Sequence, residues 1–332
     1  MGWTMKKLII CLGVFILFIT GCGKYSDKDI VKEIEKKTKN SYILEGDLAI
    51  SNNDDLYNYE VEVSYKKDHY YKVSLTNMAN GHSQVILKND DGVYILTPAL
   101  NKSFKFQSDW PYDNSQIYLI KALLNDINND EEVKFSENDD NYTFITKVNY
   151  PNNKMLVNQK ITIDKKLNIK NVKVYDSNDS VKMELNVNRI DYSPTFKDDY
   201  FELETIMRTF DDNEVVESSN LDDSIYPLFV PVNTSLTNSE RVETDNGERI
   251  IMTFSGDKPF LLVEETANVM EEFTVIPTYG EPYMLMDTLG VVTDNSLSWT
   301  SGGIEYYLVS DVMGKDELIE IAQSISAIPT MK

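Results

Sequence analysis

The side chains that most often carry out enzyme chemistry are rare in this chain of 332 residues. It has two histidines, His69 and His82, and two cysteines, Cys11 and Cys22. General base catalysis near neutral pH most often uses histidine, and both histidines lie beside predicted turns, where we expect a structural or solvated role. The sequence contains no G-x-S-x-G nucleophile motif and no H-E-x-x-H zinc motif. These observations disfavour an enzyme.

Oxygen side chains are abundant, and they suggest two further kinds of chemistry. A pair of carboxylates could form a glycosidase site, but most acidic residues here lie in predicted turns or on polar strand faces, where solvation is expected. Asp176, Asn178 and Ser180 alternate as calcium ligands do, yet no glutamate follows at the twelfth position of such a loop. These residue types also form ordinary turns. We therefore expect no metal and no other cofactor.

Cys22 ends a segment with the features of an export signal. Two lysines precede an apolar run from Leu8 to Ile19, and small residues then lead directly to the cysteine. The run is shorter than the roughly 20 apolar residues of a transmembrane helix. The pattern resembles a bacterial lipoprotein signal, in which residues 1–21 are removed, Cys22 carries diacylglycerol and residues 22–27 form a tether. Two acyl chains anchor a protein stably, so we expect it on the extracytoplasmic face of the membrane. An ordinary signal peptide with a chance cysteine is the alternative.

The charge of the chain disfavours two kinds of partner. The formal net charge is −22, so nucleic acid and anionic lipid surfaces are poor partners. Because Cys11 lies inside the predicted signal, the exported chain would have no disulfide bond, and its core alone must stabilise it. A chain of this length with 42 % hydrophobic residues can bury two modest cores.

Residues 28–203 predict a mainly β domain covered by helices. A short helix capped by Asp27 is expected first, with an apolar stripe of Ile30, Val31 and Ile34. Alternating segments separated by turn residues then predict serial antiparallel strands; they are 59–65, 70–75, 84–87, 93–96, 142–148, 155–163, 169–175 and 181–187. A second helix is expected after Trp110, where apolar residues recur at helical spacing. A sheet with one apolar face needs such a cover.

Residues 204–224 predict an acidic linker, because acidic residues dominate a segment with few apolar ones. The remaining residues, 225–329, predict a small α+β domain. Its signals are a hairpin turn at Asp245-Asn246-Gly247, short β segments at 260–264, 273–276 and 304–309, and a closing helix over 315–326.

Several motifs resemble those of a known family. Gly92-Val93-Tyr94, Leu96-Thr97-Pro98, Asn101-Lys102-Ser103-Phe104 and Trp110-Pro111-Tyr112 occur in order, and the segment YPNNKMLVNQKITID follows. Together with the lipid signal they resemble the Firmicutes sporulation and germination lipoproteins of the GerS and YdcC type. A weaker resemblance, in the segment WTSGGIEY, is to a C-terminal domain of unknown role found in such lipoproteins and in some membrane anti-sigma regulators.

This resemblance implies a LolA-like fold, a curved antiparallel half-barrel sheet with helices in its concavity. It implies a non-catalytic binding or scaffold protein of the sporulating cell or spore envelope, acting in cortex modification and germination. The location that it implies is the space between the forespore membranes. The partner that it implies is an N-acetylmuramoyl-L-alanine amidase or another envelope protein. A LolA-like carrier or sensor that holds acyl chains or lipoproteins in its concave face is the second hypothesis, and an enzyme is the third.

Four aromatic residues, Phe104, Phe106, Trp110 and Tyr112, are the candidate contact residues. Alternate spacing places Phe104 and Phe106 on one face of a strand. One interpretation is that these rings pack the core between sheet and helix. The other is that Trp110 and Tyr112 line the mouth of the concavity and contact a partner or an acyl chain, because aromatic rings combine contact area with a polar group.

Overall fold

The computed structural model describes most of the chain after the predicted signal. The described residues are 25–52, 55–107, 110–111, 114–210, 221, 225–245, 247–285 and 287–326. The predicted signal, Cys22 and Tyr112 lie outside the described residues, as does most of the predicted acidic linker.

The first helix, α1 (Asp27–Thr38), begins one residue earlier than the sequence analysis predicted. Its N-cap is Ser26, whose hydroxyl accepts a hydrogen bond from the Asp29 backbone N–H over 3.2 Å, while the Asp29 carboxylate accepts from the Ser26 N–H over 3.2 Å. This reciprocal capping box satisfies two backbone donors at once. A cap at Asp27 was therefore wrong. The predicted stripe is confirmed, because Ile30, Val31 and Ile34 are buried.

The first sheet contains twelve strands. The strands are β1 (Ser41–Asn52), β2 (Asp55–Lys66), β3 (Tyr70–Asn77), β4 (Ser83–Asn89), β5 (Gly92–Thr97), β6 (Lys102–Phe106), β7 (Lys134–Glu137), β8 (Asn141–Lys147), β9 (Leu156–Asp164), β10 (Ile169–Asp176), β11 (Val181–Asp191) and β15 (Thr274–Thr278). Their order across the sheet is β15-β6-β5-β4-β3-β2-β1-β11-β10-β9-β8-β7, and every neighbouring pair is antiparallel except β15 and β6.

One face of this sheet carries the larger core. Leu44, Val63 and Val172, from three different strands, are fully buried there and belong to one cluster with α1 and with α2 (Ile120–Asn129). Open sheets of this many strands curl rather than remain flat, and a single core shared by so many strands requires such curling. The predicted covering helices are thus confirmed, and they fill the inner face of the sheet.

A smaller cluster covers the opposite face of β4 and β5. The short helix α3 (Leu203–Met207) contributes Ile206, which packs with Phe201, Tyr94 and Leu87. Asn89 is also buried, and its amide donates to the Phe201 backbone oxygen over 3.0 Å. The first residues of the predicted linker are therefore packed on the sheet.

The second sheet has seven strands, which are β12 (Thr234–Thr244), β13 (Gly247–Gly256), β14 (Phe260–Thr266), β16 (Glu281–Met284), β17 (Leu289–Val292), β18 (Ser296–Ser301) and β19 (Ile304–Val309). Their order across the sheet is β12-β13-β14-β19-β18-β17-β16. The helix α4 (Lys315–Ser326) contributes Leu318, Ile321 and Ala322 to the core of this sheet. The predicted hairpin around 245–247 and the closing helix are both present.

The strand β15 departs from the expected organisation. The sequence pattern predicted it as part of the C-terminal domain, whereas it pairs in parallel with β6 at the edge of the first sheet, with Thr274 opposite Lys102. Lys102 is buried and forms an ion pair with Glu305 of β19. The fold class, mainly antiparallel β with covering helices, is confirmed, and the division of the chain at 204–224 stays a prediction.

Candidate functional site

A pocket lies where the end of β1, the start of β11 and the strand β16 approach one another. We call it the mouth pocket; the loops 114–118 and 150–156 complete its wall, and Gln323 of α4 reaches it from the second sheet. Its volume is about 150 Å³. The pocket thus joins segments that are far apart in the sequence.

Amide side chains dominate the polar lining of the mouth pocket; they are Asn52, Asn114, Gln116, Asn152, Asn153 and Gln323. Asn52 Nδ2 donates to the Gln323 backbone oxygen over 3.3 Å, which ties β1 to α4. The side chains of Asn114 and Gln116 are half-buried, and within the described residues they make no hydrogen bond. Each amide offers both a donor and an acceptor, so the wall can still bind a polar group.

Trp110 lies under this amide wall. It is 2 % exposed, belongs to the larger core, and meets the Tyr71 ring edge-on at 6.0 Å between ring centroids. Tyr118 is also buried and lines the same pocket. Aromatic pairs in this geometry stabilise a core beyond the area they bury. Trp110 is therefore a core residue that also borders the pocket.

Two tyrosines form the opposite wall. Burial raises the pKa of Tyr150 well above its usual value, and burial likewise raises the pKa of Tyr283. The Tyr150 hydroxyl is buried and has no partner at standard hydrogen-bond geometry in the described residues, but the Ile117 backbone is close enough to oppose part of this shift. Both phenols therefore stay protonated near neutral pH and add no charge to the pocket wall.

The charged groups of the mouth pocket are already paired. Glu281 accepts hydrogen bonds from Asn152 Nδ2 over 2.8 Å and from Lys315 Nζ over 3.2 Å. Lys182 faces Asp176 at 3.6 Å. The pocket therefore presents no unpaired charge from these residues.

The Asp126 carboxylate supports the loop 114–118 through a hydrogen bond with Ser115. Burial raises the pKa of Asp126 to about 6, and hydrogen bonds from Ser115 and Gln159 oppose that shift. Gln159 Nε2 donates to the carboxylate over 2.7 Å, and Ser115 Oγ accepts from the Asn149 N–H over 2.7 Å. This network positions the loops that form the pocket wall.

Burial also raises the pKa of Glu264, to about 7, and that of Asp287. Both carboxylates lie in the C-terminal part of the chain, and no other carboxylate contributes to the shift at Asp126, Glu264 or Asp287. A glycosidase pair or an aspartic dyad places two carboxylates close enough to shift each other. These three acids do not form such a pair.

The structure describes three of the four predicted contact residues and places them at the larger core. Phe106 and Trp110 are buried in the larger core, and Phe104 packs against that core while bordering a second groove beside Trp299. Tyr112 is outside the described residues. Core packing of Phe106 and Trp110 agrees with the first interpretation, and a contact role for any of the four stays a prediction.

Local structure accounts for the two histidines and for the residues considered as calcium ligands. His69 Nε2 lies 2.9 Å from Asp90 Oδ1 on an exposed hairpin, and His82 lies in a turn. Asp176 Oδ1 accepts from the Asn178 and Ser180 N–H groups over 2.9 Å each, which is ordinary turn geometry. In the part of the chain that the structure describes, no group of three or more histidine, cysteine or acidic side chains is placed to bind a metal ion.

Most residues of the pocket wall are not marked by any sequence pattern. Tyr150 and Asn152 lie in a segment quoted only for its family resemblance, and Tyr283 and Gln323 were not singled out. Their contacts join positions more than 100 residues apart, as in the bond between Asn152 and Glu281. A local sequence pattern does not predict contacts between residues so far apart in the chain.

Comparison with known proteins gives the family. The model of the YdcC-like sporulation proteins matches residues 5–201. The chain is also 36 % identical over 316 residues to the sporulation protein YdcC of Bacillus subtilis, covering 93 % of each. The chain belongs to the YdcC-like sporulation proteins. The family predicted from the motifs around Trp110 is thereby confirmed.

Solved structures that resemble this YdcC-like chain include a LolA superfamily protein from Nitrosomonas europaea, at 10 % identity and a TM-score of 0.31, covering 55 % of this chain and 99 % of that one. Another is the complex of the CwlD amidase from Clostridioides difficile with the GerS lipoprotein, at 15 % identity and a TM-score of 0.23, covering 52 % of this chain and 98 % of that one. Among the residues described, no helix has the length and apolar character needed to cross a bilayer.

Proposed function

We propose that this YdcC-like protein is a lipid-anchored, non-catalytic binding protein of the sporulating cell envelope, and that its partner is a cell-wall amidase. The observation that carries the proposal is family membership, since the chain is 36 % identical to a sporulation protein over 93 % of its length. Anchoring through Cys22 on the extracytoplasmic face follows from the signal pattern. The partner class follows from the resemblance to GerS-type lipoproteins.

The chemistry of the described residues supports a role without catalysis. Asp126, Glu264 and Asp287, the carboxylates whose pKa values burial raises, do not shift one another. His69, in the turn between β2 and β3, is partly exposed and interacts with Asp90. What the mouth pocket offers is a set of amide and aromatic groups, which bind ligands and do not transfer protons readily.

The carrier hypothesis is disfavoured by the packing of the inner face. Side chains of α1 and α2, among them Ile34 and Leu123, occupy the space that an acyl chain would need. The mouth pocket, at about 150 Å³, is smaller than the roughly 300–1,000 Å³ of pockets that enclose a drug-sized ligand. A carrier would need helices that move away from a well-packed core.

The proposal is tested with two purified proteins. The full chain in lipid nanodiscs is mixed with the cell-wall amidase of the same organism, and association is measured by calorimetry. We expect saturable binding and no release of muropeptides when the chain alone is incubated with peptidoglycan. Hydrolysis by the chain alone, or no association with a folded amidase, would overturn the proposal.

A further inference from the structure

We propose that β12, the outermost strand of the second sheet, binds an extended, positively charged segment of a partner protein as an added strand. The length of β12, its exposure, the direction of its free backbone groups and its charge all fit such a segment. This binding is independent of the amidase proposed above and uses a different part of the molecule from the mouth pocket.

The strand β12 is the longest of the four strands that end a sheet. It spans Thr234–Thr244, whereas β7 and β16 have four residues each and β15 has five. Every residue of β12 is at least partly exposed. Proteins commonly protect an edge strand by keeping it short or by placing lysine or proline in it, and β12 contains neither. The register shifts between Leu236 and Asn238, and residues 238–244 then pair regularly with β13.

The free backbone groups of β12 point away from the sheet at alternate residues. The hairpin leaves Thr244 opposite Gly247, and residues that flank such a two-residue turn exchange hydrogen bonds. Hydrogen-bonded residues alternate along an antiparallel strand, so the even-numbered residues of 238–244 bond to β13. The N–H and C=O groups directed outward are those of Ser239, Arg241 and Glu243. In the part of the chain that the structure describes, no strand lies beyond them, and they can therefore pair with one added strand.

The edge carries two acidic side chains that have no cation beside them. Among the described residues Glu240 and Glu243 take part in no ion pair, and they point to opposite sides of the sheet because their separation along the strand is odd. Val242, which is 44 % exposed, offers an apolar contact between them. The arginines of the hairpin are already paired, Arg241 with Glu248 at 2.8 Å and Arg249 with Glu265 at 2.7 Å. An added strand with lysine or arginine opposite the two free carboxylates would gain favourable charge pairs on both faces.

A second copy of the chain fits this edge less well. The formal net charge of the chain is −22, so two copies repel each other. If two β12 strands paired antiparallel about Ser239, Glu240 of one copy would lie diagonally across from Glu240 of the other, on the same face. A positively charged segment replaces both repulsions with attraction.

The test uses the full chain in nanodiscs of zwitterionic lipid and a fluorescent peptide of alternating valine and threonine that carries lysines. Two matched probes carry glutamates in place of the lysines, or N-methyl groups on the backbone amides. We expect saturable binding of the lysine peptide by fluorescence anisotropy, absent with empty nanodiscs, and about tenfold weaker binding of the other two. Hydrogen exchange within residues 234–244 should slow when the lysine peptide binds.

Three results would overturn the proposal. Failure of the lysine peptide to bind, or equal binding of the N-methylated peptide, would show that no strand is added to β12. Equal binding of the glutamate peptide would show that charge does not select the segment. Dimerisation of the chain alone through β12, detected by sedimentation, would assign this edge to a second copy instead.

Variants connect the binding to this strand. Ser239→Pro removes one outward N–H and leaves the hydrogen bonds to β13 in place, so it should weaken binding of the lysine peptide about tenfold, whereas Ser239→Ala, the matched control, should bind as the parent does. Glu240→Gln and Glu243→Gln should each weaken binding about threefold at low salt, and Glu60→Gln, which changes an exposed acid of β2, should not. Full binding by Ser239→Pro would contradict the proposal. The N-methylated peptide tests the same contact on the parent chain, so the outcome does not depend on how well that variant folds.

Discussion

Replacing Trp110 with alanine should destabilise the larger core. Trp110 is 2 % exposed and packs edge-on against Tyr71, so the substitution removes buried aromatic area and leaves a cavity. Truncation of a buried tryptophan or phenylalanine typically costs about 3–5 kcal/mol. The mouth pocket borders the site, and water entering from it would fill part of the space without restoring the lost contacts.

The assay is thermal unfolding followed by circular dichroism. For a unit of 150–250 residues, 1 kcal/mol corresponds to roughly 2–4 °C, so the midpoint should fall by about 6–20 °C. Trp110→Phe should recover much of the loss because it keeps an aromatic ring in the core. Tyr279→Ala removes a side chain that is 75 % exposed and should leave the midpoint unchanged. Amidase binding should disappear in Trp110→Ala above its new midpoint and persist below it.

A Trp110→Ala midpoint within about 2 °C of the parent would refute the assignment of this residue to the core. If such a stable variant also lost amidase binding by about 2 kcal/mol or more, Trp110 would be a surface contact of the hot-spot kind. Loss of dodecanoate binding in a stable variant would instead support the carrier hypothesis.

Three further predictions address pH, anchoring and domain organisation. Burial raises the pKa of Glu264 from its usual 4.5 to about 7, so the folded state binds the proton more tightly than the unfolded state; stability should fall by up to about 3 kcal/mol as the pH rises from 4.5 to 7, and Glu264→Gln should flatten that dependence in urea titrations. An unchanged slope in Glu264→Gln would contradict this assignment. Cys22→Ser should leave the protein uncleaved or release it from the membrane fraction. Undiminished labelling of this variant by a fatty-acid probe would show that Cys22 is not the lipid anchor. Limited proteolysis should cut first within residues 204–224, whereas first cuts inside 59–187 would show that the division into domains is wrong.

Local sequence signals predicted the elements whose structure is decided locally. Turn residues such as Asn89 and Gly92 marked the hairpin of β4 and β5, and Gly92 adopts a φ of 142° there. The helical spacing after Trp110 predicted α2. In these segments hydrophobic period and turn chemistry agree with the final fold.

The strand β1 was missed because a glycine interrupts its alternating apolar pattern. Tyr42, Leu44, Leu48 and Ile50 are all buried on one face, with Gly46 between them. A Cβ atom at Gly46 would lie 2.5 Å from the Asn186 backbone oxygen, and the register with β11 shifts at this point. The glycine is required by a close approach between strands, which the sequence of one strand does not reveal.

The position of β15 and the wall of the mouth pocket could not be predicted for a related reason. Both depend on contacts between distant parts of the chain, such as Thr274 with Lys102 and Asn52 with Gln323. Periodicity reports which face of an element is apolar. It does not report which other element covers that face.

Capture from sporulating cells shows whether this membrane-anchored protein engages a cell-wall amidase. Affinity-tagged chain expressed from its own promoter is crosslinked in place, purified and examined by mass spectrometry beside an untagged strain. We expect an N-acetylmuramoyl-L-alanine amidase to be enriched with the tagged chain, and Cys22→Ser to reduce this enrichment by removing the chain from the membrane. Recovery of folded, membrane-bound chain with no amidase enriched would show that the protein does not bind an amidase.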